Sequence, residues 1–164
     1  MAHAEFESYI EDRAVEVVNR AHHEWERGAV IRPCLLALVA HQESGLNIPD
    51  SISELGDRSS KYPTLKARVE TGKKRFSTYA RMRNHGIKEK NLLLLLLPLG
   101  VTKDEIDATW LNTTEGWATA RGDVAHTSAT STKMQVQLDP RIELTTVREI
   151  LAGFKQLDKL LDKK

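Results

Sequence analysis

The chain has one cysteine, few aromatic residues, almost no net charge and no apolar run long enough to cross a bilayer. Each shortage excludes something. A single thiol, Cys34, rules out an intrachain disulfide and suits a reducing compartment, so the expected location is the cytoplasm. It sits in the apolar run Cys34-Leu35-Leu36-Ala37-Leu38-Val39 and reads as a packing residue. Aromatics make up 5% of the 164 residues, which leaves the core to Leu, Val, Ile and Ala. A net charge of +1 gives composition no argument for nucleic acid, so any basic surface must be local. The longest apolar run is the six leucines at 92–97, followed by Pro98 and Leu99. It falls far short of the roughly 20 residues a bilayer needs and reads as a buried helical turn or two, with no membrane partner. Met1-Ala2-His3-Ala4-Glu5 has no signal-peptide pattern. There is no internal repeat and no Gly-rich nucleotide loop, and only Met134 to Leu138 alternates in the manner of a strand.

What is present is helical periodicity. In residues 5–27, Phe6, Ile10, Ala14, Val17, Val18, Ala21 and Trp25 recur at steps of three and four, acids crowd the start, and Gly28 marks a stop. Pro33 opens a second helix, expected to run to about Ser44, to be closed by Gly45 and, being apolar nearly all round, to lie centrally. Residues 46–64 carry prolines, glycines and serines and read as irregular. The pattern predicts a helix over 64–84, interrupted near Gly72, with Leu65, Val69, Phe76, Tyr79, Ala80 and Met82 inward. Another over 89–97 is cut by Pro98 and Gly100. Thr102-Lys103-Asp104-Glu105 has the form of a capping box and predicts a helix through Trp110, which either continues to His126 or breaks at Asn112-Thr113. Residues 127–145 read as turn-like. A second box, Thr146 to Glu149, predicts a closing helix with Val147, Ile150, Leu151, Phe154, Leu157 and Leu161 on one stripe. The expected class is all-α: a single domain over residues 1–164, built as an antiparallel bundle of four to five main helices.

The segment Arg121-Gly122-Asp123-Val124-Ala125-His126 carries the chemistry. Arginine offers a permanent charge and a fork that matches phosphate, and histidine both takes and gives a proton near neutral pH. Together they suffice to cut RNA without a metal: a base frees the ribose 2′-OH to attack phosphorus, Arg121 stabilises the charge on the phosphoryl oxygens, and an acid protonates the leaving 5′ oxygen. His126 takes the acid/base duty, and Asp123 is placed to orient the imidazole or the guanidinium. On one straight helix Arg121 and His126 lie about 140° apart around the axis and about 7.5 Å apart along it. Either the helix ends near Ala125 and lets the His fold back, or two copies meet across a two-fold axis. Two other roles stay open: Arg121 paired with Asp123 or Glu115, and His126 as a helix C-cap.

The stretch Trp117-Ala-Thr-Ala-Arg121-Gly-Asp-Val-Ala-His126-Thr127 resembles the signature of the HEPN superfamily, an Arg followed after four to six residues by a His near the end of a late helix. The order of elements resembles the RiboL-PSP-like branch, with an apolar second helix ending in an acid such as Glu43. Position 122 is Gly where active members commonly carry Asn, Asp or His. The resemblance implies a HEPN-like helical fold and a metal-independent endoribonuclease acting as a homodimer, needing no cofactor, in toxin–antitoxin or anti-phage defence, with an antitoxin or other regulatory protein as a further partner. It also implies the alternative of a catalytically inactive module that binds RNA, nucleotide or protein.

Other residues carry weaker signals. Lys73, Lys74, Arg75, Arg81 and Arg83, with Lys88 and Lys90, form the most basic stretch, either an RNA-binding surface or a solvated helix face. His41 and Glu43 are supporting candidates near Arg121, or an ordinary polar pair at a helix end. His22 and His23 beside Glu24 and Glu26 lack the spacing of a metal site and read as surface residues. Trp110 and Trp117 share a helix face and read as core or dimer packing.

Overall fold

A computed structural model describes residues 2–41, 64–126 and 139–164, with the backbone alone over 122–126. All its regular structure is helical, and no strand occurs among the described residues. Four helices are long: α1 (Ala2–Gly28), α3 (Leu65–Met82), α5 (Ala108–His126) and α6 (Pro140–Leu161). Two have eight residues, α2 (Pro33–Ala40) and α4 (Glu89–Leu96). The result is an all-α bundle. The Met134 to Leu138 strand candidate lies outside the described residues, as do Ser44, Gly45 and Glu43.

Helix α1 is the centre of the packing. Its stripe of Phe6, Ile10, Ala14, Val17, Val18 and Ala21 is buried, as the three–four spacing requires. α3, α2, α4 and α6 all pack against it. Phe6 stacks on Phe154 of α6 at 5.1 Å between centroids. Arg13 ties the same two helices together: its Nε donates to Asp158 at 2.5 Å, and it also pairs with Asp162. Burial disfavours the Arg13 charge, but these carboxylates outweigh it and raise its pKa. The chain leaves α1 through Ala29, whose φ of 52° is left-handed, so the turn falls one residue beyond the expected stop at Gly28.

The structure moves several expected boundaries. α3 runs unbroken through Gly72, which is buried, because its neighbours on the stripe (Val69, Phe76 and Ala80) hold the helix against the bundle. Leu65 and Met82, expected inward, are exposed at the two ends. α2 is not buried all round: Cys34, Leu35 and Leu38 face in, whereas Leu36 is exposed. In the leucine run, Leu92, Leu95 and Leu96 are buried while Leu94 and Leu97 are exposed, so the run is an amphipathic helix end and not a fully buried turn.

The Thr102 to Glu105 box forms, with Glu105 accepting from the Thr102 amide at 2.8 Å, yet it opens only a single 3₁₀ turn. Lys164 grips both oxygens of Glu105 at 2.8 Å, and Ile106 turns extended. Asp107 is the working cap: its side chain accepts from the amides of Thr109 and Trp110 at 2.8 and 3.2 Å, and α5 then runs to His126 with no break at Asn112-Thr113. The Thr146 box is inside α6, because Asp139 and Pro140 start that helix earlier, with Asp139 accepting from the Arg141 amide at 2.8 Å. Of the closing stripe, Leu151 is exposed.

Trp110 and Trp117 are both buried in the core. Trp110 donates to the Ile150 carbonyl at 3.1 Å and packs tightly against Gly153 of α6. No helix among the described residues is long and apolar enough to cross a membrane.

Candidate functional site

The inward stripe of α5 reads Trp110, Leu111, Thr114, Trp117 and Ala118, all buried. Arg121, one turn beyond Trp117, continues that stripe to where the helix reaches the rim of the bundle. Ala120, expected inward beside it, is exposed. Arg121 is therefore rooted on core residues while its own side chain stays 45% exposed.

The acid that meets Arg121 is neither Glu115 nor any residue of its own helix that the structure describes. Glu143 of α6 accepts a hydrogen bond from the Arg121 Nη2 group and another from Trp117 Nε1 at 2.9 Å. The Arg121 guanidinium carbon lies 5.5 Å from the Trp117 ring centroid, within cation–π range. Partial burial pushes the Glu143 carboxyl up, but the hydrogen bonds from Arg121 and Trp117 outweigh it and hold the group below the usual carboxylate range. One edge of the guanidinium is thus fixed. A guanidinium has five N–H donors; among the described residues Glu143 takes one of them, and the fork of the group matches phosphate. Glu115 serves elsewhere: it accepts from the Glu89 amide at 2.7 Å and so caps α4.

The other face of this corner comes from the start of α1. The His3 ring stacks on Trp117 at 5.8 Å between centroids and 26° between planes. Its Nδ1 lies 3.7 Å from Glu7, and the other oxygen of Glu7 accepts from the Gly86 amide at 2.6 Å. Arg121, Trp117, Glu143, His3 and Glu7 form one polar corner built from α1, α5 and α6, with Gly86 beside it. Glu143 and His3 were missed from the sequence, since their sequence distances from Arg121 carry no helical period. Asp123 and His126 belong to α5 by backbone, and their side chains are outside the description. α5 is described as helical to His126, so along its backbone positions 121 and 126 stand about 140° apart around the axis and about 7.5 Å apart along it.

The basic stretch divides over three faces of α3. Lys73 turns toward α1, with Nζ 3.4 Å from His22 Nδ1. Arg81 lies 3.9 Å from Asp12. Lys74, Arg75 and Arg83 are exposed. Arg75 shares a cavity of about 200 Å³ with His41, floored by Leu38, Phe76 and Leu94. His41 therefore sits with Arg75 of α3 in a groove that Arg121 does not line, while Glu43 is outside the described residues.

His22 corrects the surface reading given to it. It is buried, and its Nε2 is 2.8 Å from Glu70 of α3, which joins α1 to α3. Together with Glu26 these groups place possible ligand atoms within 4.8 Å of one another. Lys73 already brings a cation to that cluster, and the two carboxylates address opposite ring nitrogens, so the arrangement serves as a helix clamp. His23, by contrast, is exposed. Cys34 is buried, and burial pushes its thiol up to about 12, which suits packing and not nucleophilic chemistry.

No protein-family model, curated protein or solved structure matches this chain.

Proposed function

We propose that the protein is a HEPN-type metal-independent endoribonuclease that works as a homodimer and serves in toxin–antitoxin or anti-phage defence. The observation that carries this reading is the state of Arg121. Its side chain is rooted by Trp117 and Glu143, yet 45% exposed. A guanidinium fixed in this way costs little reorganisation when charge builds on a phosphoryl oxygen. The helical backbone of α5 supports the two-copy arrangement, since positions 121 and 126 stand about 140° apart around one helix.

A second reading has its own support: a catalytically silent helical module holding RNA, nucleotide or a protein partner. Gly122 stands where active members commonly carry a polar residue, and the Arg121–Glu143 pair also works as a plain helix tie. The test is incubation with mixed RNAs in EDTA. Cleavage to 2′,3′-cyclic phosphate ends, lost in Arg121→Ala and in His126→Ala, supports the nuclease. Binding that persists in His126→Ala, with the RNA intact, supports the module.

A further inference from the structure

The leucine run at 92–97 holds more apolar surface than the core takes. Leu92, Leu95 and Leu96 are buried and form the inner stripe of α4. Lys90, Leu93, Leu94 and Leu97 stand at steps of three and four on its outer side, where Leu94 and Leu97 are exposed and Leu93 is half-buried. A contiguous apolar patch rimmed by polar groups marks an interaction surface.

Leu94 is the ridge of this face, because it lines two concavities at once. One is a cavity of about 550 Å³ formed by Leu93, Leu94 and Leu97, and it carries the carboxylates of Glu89 and Glu115 against one ammonium, Lys90. The other is the groove of about 200 Å³ that holds Arg75 and His41. An apolar ridge therefore divides an acidic flank from a basic one. Among the described residues, Arg75, His41, Glu89 and Glu115 form no ion pair.

We propose that this face binds a second copy of the chain, with a two-fold axis passing close to Leu94. The proposal deepens the homodimer reading above and rests on it. A surface with acid on one side of an apolar ridge and base on the other complements itself. Rotation by half a turn lays the Arg75 flank of each copy over the Glu89 flank of the other, and symmetry makes the two contacts equal. Leu94 and Leu97 of both copies then close the dry centre between two charged rims. A partner of one charge sign would match only one flank. The face also adjoins α5, since Glu115 belongs to that helix. Position 126 lies about 20° from Glu115 around α5 and about 16 Å further along it. Pairing across α4 thus turns the side of α5 that carries position 126 toward the interface in both copies.

Sedimentation equilibrium of the full chain tests the pairing. The variants are Leu94→Asp, Arg75→Glu and Glu89→Arg, all at exposed positions, with helical content checked by circular dichroism. The parent sediments as a dimer. Each variant alone raises the Kd by about tenfold or more, because Leu94→Asp puts a charge at the axis twice and each charge reversal sets like charges together at two places. An equal mixture of Arg75→Glu and Glu89→Arg returns to within about threefold of the parent Kd, since the mixed dimer has opposite charges at both places. A fold defect confined to one chain gives no such rescue. A dimer that none of the variants weakens overturns this face and leaves the homodimer reading standing. Charge variants that stay weak when mixed also overturn it. A parent that remains monomeric at every concentration overturns the homodimer reading and this face together, whether the leucines stay bare or another protein covers them.

Discussion

Replacing Gly153 with alanine tests the packing that positions α5, because propensity and structure give opposite signs. Gly153 lies inside α6, where alanine in place of glycine is worth up to about 1 kcal/mol of added helix stability. A Cβ at this position would lie 2.1 Å from Trp110 Cδ1 and 2.2 Å from Nε1. Trp110 is buried, its ring crosses Phe154 edge-on at 5.2 Å, and its Nε1 donates to the Ile150 carbonyl. The ring has to move. Overpacking of this kind costs about 1–3 kcal/mol, and a stranded buried indole N–H costs about 1–3 kcal/mol more. Net of the helix gain, the variant loses about 1–5 kcal/mol. For a chain of this length that is a fall in Tm of about 2–20 °C. Thermal and urea unfolding followed by circular dichroism measure it. A variant as stable as the parent, or more so, refutes the close packing of α5 on α6 at this point and with it the placement of Trp117 and Arg121.

Three further outcomes follow from the same geometry. Glu143→Gln weakens the tie between α5 and α6: because the folded carboxyl is held below its usual value, the difference from the parent is full above about pH 4.3 and shrinks as pH falls through the lower folded value. Urea midpoints of the two proteins should converge in acid, and a gap that widens there contradicts the pairing. Ala29→Gly relieves a left-handed alanine at the end of α1 and raises stability by about 0.5–1 kcal/mol, and a loss on chemical denaturation rules out the turn as described. Cys34, buried with its thiol pushed up to about 12, should resist an alkylating reagent at about pH 8 until urea unfolds the chain, and rapid labelling of the folded protein contradicts its burial.

Helix identity was readable from period, and the α1 stripe from Phe6 to Ala21 shows why: a long amphipathic helix repeats its signal many times. Helix starts were less readable. The boxes at Thr102 and Thr146 have the right residues, but Lys164 draws on Glu105 from the far end of the chain, and Asp139-Pro140 starts α6 ahead of the second box. Inward positions at helix ends, Leu65 and Met82, failed because period does not say where a neighbouring helix stops. The candidate site was half legible. Arg121 stands out by its motif. Its partner Glu143 reaches it directly from α6 and its neighbour His3 through the Trp117 ring from α1, and no local spacing encodes either. His41 and Arg75, distant in sequence, meet only because α2 packs on α3.

The central claim is that Arg121, held at one edge by Glu143, stabilises the charge of an RNA phosphodiester as it breaks. The most direct measurement uses purified protein and mixed RNA in EDTA, with fragment ends identified chemically. The account predicts 2′,3′-cyclic phosphate termini from the unaltered protein, and none above background from an Arg121→Ala variant that keeps its helical content. Equal cleavage by the two proteins, or intact RNA at high concentrations of both, would contradict it.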